Sequence, residues 1–195
     1  IVKLSLHGHG FDFPVPLFGV HQASNVAAAV SVALALGSRP ASIQDGIAQV
    51  AVPGGRCRVF TQSGRNIVDD SYNANPASMD AAFETMSVLA GSSRRLAALG
   101  CMFELGPDAA QLHFKVGEAA AKSGVDEVFA LGPWAQDLAD GAQSAGGKAY
   151  AFEEMEELSS KVCESLDDGE WLLVKGSRGM RMERVLDALD TGMTD

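Results

Sequence analysis

Cysteine is scarce and scattered. Cys57, Cys101 and Cys163 are the three in 195 residues, and no two have the C-x-x-C spacing. Such a set suits neither a disulfide framework nor a zinc site, and it points to a reducing cytoplasm. Long apolar runs are missing as well: the longest, Val26 to Leu36, is Ala-rich and too short to span a bilayer. No basic segment leads into an apolar one at the start, so no signal peptide is expected, and a chain opening on Ile1 rather than Met suggests a piece of something longer. Positive charge is in deficit, with 15 Lys and Arg against 25 Asp and Glu and a net charge of −10. That argues against nucleic acid or an anionic membrane as the main partner. No G-x-x-x-x-G-K-[ST] occurs, so these residues hold no P-loop. Internal repeats and low-complexity segments are also missing.

With 47% hydrophobic residues, a substantial core is expected and disorder is not. The densest chemistry lies in Val68-Asp69-Asp70-Ser71-Tyr72-Asn73-Ala74-Asn75-Pro76. Asn66-Ile67-Val68 reads as the end of a buried strand. Met79, Phe83, Met86 and Leu89 then recur at helical spacing, with Asn75 able to cap that helix and Pro76 suited to its first turn. Two carboxylates, a hydroxyl, a phenol and two amides thus fall on a strand-to-helix crossing, where open α/β sheets bind ligands. The competing reading is a polar turn that satisfies its own backbone.

Taken in order, Ile1 to Leu6 and Phe11 to Leu17 alternate around His7-Gly8-His9-Gly10 and predict a β-hairpin. Its two histidines suit a solvated turn better than a metal site, because nothing nearby completes a shell. His21 to Leu36, ended by Gly37, predicts a helix whose Ala-rich composition is that of a buried one. A second helix is expected from Ile43 to Val50. Pro53-Gly54-Gly55-Arg56 then marks a domain boundary, dividing 1–52 from 53–195. Beyond it, Arg58 to Gln62 and Asn66 to Val68 pair around Ser63-Gly64-Arg65, so the first runs antiparallel at an edge. Strands at Leu96 to Leu99, Glu127 to Leu131, Ala149 to Phe152 and Trp171 to Val174 alternate with helices, the last from Met180 to Leu189. The fold class is α/β: a doubly wound, Rossmann-like, mostly parallel sheet with an antiparallel edge strand, preceded by a fragment of a second α/β domain. Its strand C-terminal loops, 69–75, 100–106, 131–134 and 175–179, should converge.

Asp-Asp-Ser-Tyr-Asn-Ala-Asn-Pro-x-Ser-Met resembles the C-terminal domain of the Mur ligases. Further matching segments follow in order. Gly100-Cys101-Met102-Phe103-Glu104-Leu105-Gly106 is similar to the family's Gly-Asp-Met-x-Glu-Leu-Gly, with Cys101 in place of Asp. Val174-Lys175-Gly176-Ser177-Arg178 with Met182-Glu183 matches Val-Lys-Gly-Ser-Arg-x-x-x-Met-Glu. Upstream, Gly19-x-His21-x-x-x-Asn25-x-x-Ala28-Ala29 resembles the end of the family's central ATPase domain, departing from it at Val20 and Gln22. The best fit within the family is the member that adds D-alanyl-D-alanine to UDP-N-acetylmuramoyl-tripeptide.

The resemblance implies that 1–52 is the end of the central ATPase domain and 53–195 the whole C-terminal domain. It implies an ATP-dependent amide-bond ligase in peptidoglycan precursor synthesis, working through an acyl phosphate, with Mg2+ and most phosphate ligands in an upstream half. Without that half the chain would not be active, and that half is its implied partner. By the same carry-over, Asn25 and His21 lie toward the adenine, Arg56 reaches the phosphates, and Asp70 binds the ribose hydroxyls. Tyr72, Asn73, Asn75, Ser177 and Arg178 line the dipeptide or acyl-phosphate side, and Arg56 with Lys175 are the candidate catalytic groups. No metal ligand is assigned to the chain itself. A receiver module would share Asp69, Asp70 and Lys175, but Leu99-Gly100-Cys101 offers it no phosphoacceptor. A non-catalytic nucleotide-binding module and a sibling ligase such as folylpolyglutamate synthase remain the alternatives.

Overall fold

The structure, a computed structural model, describes residues 2–6, 9–15, 19–51 and 54–191. The chain divides into two compact units, Ile1–Val52 and Pro53–Asp195.

In the first unit, β1 (Val2–Leu6) pairs antiparallel with β2 (His9–Phe13), Leu6 opposite His9. His9 therefore belongs to a strand and not to the turn, while His7 lies outside the described residues. Two helices follow, α1 (Val20–Ala35) and α2 (Pro40–Ala48). The second starts before Ile43 because Pro40 occupies its first turn, where the lost N–H is not missed. Phe13, Val30 and Ile47 form a small core with Phe11, Val15, Val26, Leu34 and Ile43 against it. The Ala-rich α1 is not the buried helix its composition predicts: Ala28, Ala29, Val32, Ala35 and Leu36 are exposed. Small apolar side chains permit close packing, but burial needs a second surface, and this unit's core covers one side.

The second unit is a six-stranded sheet. β3 (Arg58–Gln62) and β4 (Arg65–Asp70) form the antiparallel hairpin. α3 (Pro76–Ala90), β5 (Arg95–Gly100), α4 (Ala109–Lys122), β6 (Glu127–Leu131), α5 (Ala135–Ser144), β7 (Lys148–Phe152), α6 (Met155–Ser165), β8 (Trp171–Lys175) and α7 (Arg184–Thr191) follow. Strand order is β3-β4-β8-β5-β6-β7, with every pairing beyond β3–β4 parallel. This is the expected doubly wound sheet with an antiparallel edge strand.

Alternation along the strands feeds two cores. Val68, Ala97, Leu99, Val128, Ala130 and Leu173 face α3, α4 and α5. Ile67, Leu96, Ala98, Phe129, Leu131, Leu172 and Val174 face α6 and α7. The chain thus runs from β4 through β5 and β6 to β7 with its helices on one face. It then crosses back by α6 on the other face and inserts β8 between β4 and β5. That return places the loop after β8 between the loops after β4 and β5, the switch point at which such sheets bind ligands.

The last helix begins at Arg184, not at Met180. A 3-10 turn over Arg178–Met180 is closed by Arg181 in the left-handed region, φ 50°, and that residue breaks the helical run. Met182, Val185 and Leu189 still bury on the sheet.

Candidate functional site

The loop after β4 is built as its residues suggest. Asn75 caps α3 by accepting the Ser78 N–H at 2.9 Å, and Ser78 Oγ accepts the Asn75 N–H at 3.0 Å. Met79, Phe83 and Met86 are buried beneath. Asn75 therefore has a structural task whatever else it binds.

Asp69 and Asp70 reach back to the segment before β3. Asp69, 6% exposed, accepts the Gly55 N–H at 2.9 Å on one oxygen and the Ser71 hydroxyl at 2.6 Å on the other. Asp70 accepts the Cys57 N–H at 2.9 Å on Oδ1, and Lys175 Nζ donates to its Oδ2. Lys175 is 2% exposed and also donates to the Asn73 carbonyl at 2.9 Å. The Tyr72 N–H donates to the Gly55 carbonyl at 2.8 Å. Gly55 sits at φ +74°, and a Cβ there would lie 2.9 Å from the Tyr72 nitrogen, so the close approach demands glycine.

These bonds tie residues 55–57, 69–73 and 175 into one unit with Arg56 at its apex. Arg56 is exposed, its guanidinium 4.0 Å from the centre of the Tyr72 ring. No carboxylate pairs with it among the described salt bridges. The cation rests on an aromatic face and its N–H groups are left for an anion.

The neighbouring loops are joined through Ser177. Its Oγ accepts the Phe103 N–H at 2.9 Å, and its own N–H donates to the Cys101 carbonyl at 3.1 Å. At 4% exposure Ser177 holds two loops together. Arg178 is exposed and pairs with Glu183 at 2.9 Å. Cys101 is fully buried, and burial raises its thiol to about 11, so it carries no charge where the family pattern has Asp.

The edge of the sheet therefore gathers Arg56, Asp70, Tyr72, Asn73, Asn75, Lys175, Ser177 and Arg178. His21 and Asn25 belong to the first unit. The side chain of His21 lies outside the described residues, and exposed Asn25 donates weakly to Gln22 at 3.5 Å. Three anchors have no distinct signal in the sequence: Asp69 as the clamp on Gly55, the half-buried Trp134, whose backbone N–H donates to Cys101 Sγ at 3.3 Å, and His113, a fully buried histidine on α4 bonded to the Met102 N–H. A lone histidine on an apolar helix face looks the same whether or not a loop amide meets it.

An arginine with no ion pair among the described residues, on a glycine loop beside a carboxylate, fits a nucleotide phosphate and a sugar hydroxyl. A metal does not fit the chain alone, since among the described residues no three His, Cys, Asp or Glu come close enough to hold one. No described helix is long and apolar enough to cross a membrane.

The family model described as Mur ligase, glutamate ligase domain, matches residues 55–178. A UDP-N-acetylmuramoyl-tripeptide–D-alanyl-D-alanine ligase of Bacillus subtilis is 32% identical over 180 residues, covering 91% of this chain and 39% of its own length. The Treponema pallidum ligase of the same name is 36% identical over 173 residues, covering 88% and 37%. The chain thus spans about two fifths of the curated relatives it matches. Among solved structures, MurF from Acinetobacter baumannii superposes with a TM-score of 0.85 at 29% identity, covering 96% of this chain and 41% of that one. MurF from Thermotoga maritima in complex with ADP gives 0.80 at 25%, covering 97% and 42%. A folylpolyglutamate synthase from the same organism shares the fold alone, at 18% identity and a TM-score of 0.60. With the family model matched across most of the second unit and the switch-point loops carrying the residues that suggested it, this chain belongs to the Mur ligase family.

Proposed function

We propose that this chain is the C-terminal part of an ATP-dependent ligase that joins D-alanyl-D-alanine to UDP-N-acetylmuramoyl-tripeptide, the reaction named for its relatives. Residues 1–52 are then the end of a central ATPase domain, and 53–195 the domain that closes on the nucleotide. The observation that carries the reading is Arg56: a free guanidinium on a loop pinned by both Asp69 and Asp70, beside the exposed Tyr72 and Asn73. Such rigid placement lets one cation stabilise charge that develops on a transferred phosphoryl group.

Asp70 keeps lone pairs for a ribose hydroxyl after its two internal bonds. Lys175 and Ser177, both buried, act by holding the loops in register. Tyr72, Asn73 and Arg178 present exposed groups to the dipeptide or acyl-phosphate side, and Asn75 does so from the helix cap. Asn25 and His21 are proposed toward the adenine. When bound, ATP supplies the phosphoryl group that activates the tripeptide carboxylate. Mg2+ belongs with ligands of the upstream part, which is this chain's proposed partner. The setting proposed is the cytoplasm, where the free thiols of Cys57, Cys101 and Cys163 stay reduced.

A chimaera tests this. The part of the Bacillus subtilis relative that this chain does not match would be joined to residues 1–195 and assayed for ATP-dependent ligation of D-alanyl-D-alanine. Product should form, and Arg56→Ala should lower kcat by about tenfold to a hundredfold, the cost of losing a charged hydrogen bond. A folded chimaera that binds ATP yet forms no dipeptide adduct would overturn the assignment.

A further inference from the structure

His113 has no part in the assignments above, yet its surroundings are specific. It is fully buried on α4. Its Nδ1 lies 2.7 Å from the Ala109 carbonyl, which can only accept, so Nδ1 carries the hydrogen. Its Nε2 lies 2.8 Å from the Met102 nitrogen, an amide that can only donate, so Nε2 is bare. The ring is thereby a neutral imidazole in one tautomer. The loop it meets is bonded from the other side too, through the Phe103 N–H to Ser177 Oγ and the Cys101 carbonyl to the Ser177 N–H. The loop is also strained: Glu104 sits at φ +64°, a region non-glycine residues rarely adopt. Trp134 stacks on the imidazole at 5.1 Å and meets the Phe103 ring edge-on at 6.5 Å.

We propose that neutral His113 is the positioning residue for the loop after β5, and that a proton on Nε2 releases Met102 and lets the strained loop leave its place beside Ser177. A second N–H at Nε2 would face the Met102 N–H, donor against donor. That this edge receives substrate rests on the ligase reading above. The latch itself is measured without ligation, so the two can fail separately.

The charges around the ring set the direction. Burial holds the imidazole below its ordinary 6.5 and is the largest influence, while the Ala109 carbonyl and Asp137 on α5 oppose it. The loop contributes the neutral Cys101 thiol, and α3 carries Asp80 and Glu84 at exposed positions. A histidine whose native value is depressed lends full stability above 6.5 and loses it as pH falls through the lowered native value.

Amide hydrogen exchange on the 195-residue chain, followed by NMR from pH 7.5 to 5 and corrected for intrinsic rates, tests the latch. In the wild type, protection at Met102 should fall by about tenfold across this range while Ala97 and Ala98 of β5 stay unchanged. His113→Gln offers an amide oxygen that accepts the Met102 N–H but does not titrate, so its protection should not vary with pH. His113→Leu should lack the protection at every pH. If neither variant folds, the wild-type titration with the imidazole 15N shifts decides. Protection that is independent of pH in the wild type would overturn the proposal. So would a loss shared by β5, or a pH dependence that survives in His113→Gln.

Discussion

Two helices of this chain, the mixed α4 and the more apolar α1, meet different fates. α4 in the second unit buries Ala109, His113, Val116, Gly117 and Ala120 between sheet and neighbouring helices. α1 in the first unit, richer in alanine and valine, buries Val30 alone among its described side chains and exposes Val32 and Leu36. The difference is the surface available. The second unit closes both faces of a six-stranded sheet with its own helices, whereas among its described residues the first offers two short strands and two helices. Loops at the strand ends of the second unit are backed by that covered sheet, and the bonds among Gly55, Asp69, Asp70 and Lys175 form there. Apolar composition tells what a helix is able to bury, and the count of covering elements decides what it does bury.

The largest effect expected of this contrast is in local opening. A two-stranded hairpin is marginal without further strands or helices, and opening free energies follow buried apolar contact. Amides in β1, β2 and α1 of the 195-residue chain should exchange roughly a thousandfold faster than those in β5, β6 and β8, a gap of about 4 kcal/mol. Hydrogen exchange read by mass spectrometry resolves the two sides of Pro53 directly. Equal protection on both sides would show that the first unit has gained cover, for example from a second copy of the chain.

A smaller effect tests why the second unit's site is rigid. Lys175→Met keeps the stem and removes the ammonium that bonds Asp70 and the Asn73 carbonyl in a nearly dry place. Breaking a fully buried pair from one side costs about 3–5 kcal/mol, and because Asp70 stays partly exposed the loss here should be about 2–3 kcal/mol. The urea midpoint should fall by that equivalent with the slope unchanged. Lys122→Met, which breaks the exposed i,i+4 pair with Glu118, should cost under about 0.5 kcal/mol. If the two variants behaved alike, the Lys175–Asp70 pair would be as solvated as a surface one.

Most of the second unit is legible in the sequence for a physical reason. Its strands are near-continuous apolar runs such as Glu127–Leu131, which burial on both sheet faces requires, and its turns carry Gly, Asn and Pro where the backbone needs them. The cluster at Asp69 to Asn75 is legible because so many functional groups share one crossing. What those groups bond is not. Asp69 and Asp70 meet Gly55 and Cys57 more than ten residues upstream, and Lys175 meets Asp70 more than a hundred residues later, so their partners depend on strand order. The start of the last helix is hidden because a left-handed Arg181 leaves no trace in an apolar periodicity that continues through Met182 and Val185.

The smallest effect sharpens the comparison most, because one substitution should change sign between the units. Gly117 and Gly141 mark where α4 and α5 cross backbone to backbone. A Cβ at Gly117 would lie 1.9 Å from the Leu138 carbonyl oxygen, and one at Gly141 would lie 1.9 Å from that of Phe114. Neither carbonyl can rotate away as a flexible side chain could, so Gly117→Ala must push the helices apart. Overpacking of this kind costs about 1–3 kcal/mol. At Gly46 in α2 an added Cβ would meet nothing within 4 Å among the described residues, and the position is an ordinary helical one. There alanine removes backbone freedom from the unfolded chain and should stabilise the helix by about 0.5–1 kcal/mol. Thermal melts would read the loss in Gly117→Ala, and exchange of the α2 amides would read the gain in Gly46→Ala. Should Gly46→Ala destabilise the first unit, another surface must lie against α2, and the helices of that unit would be covered as those of the second are.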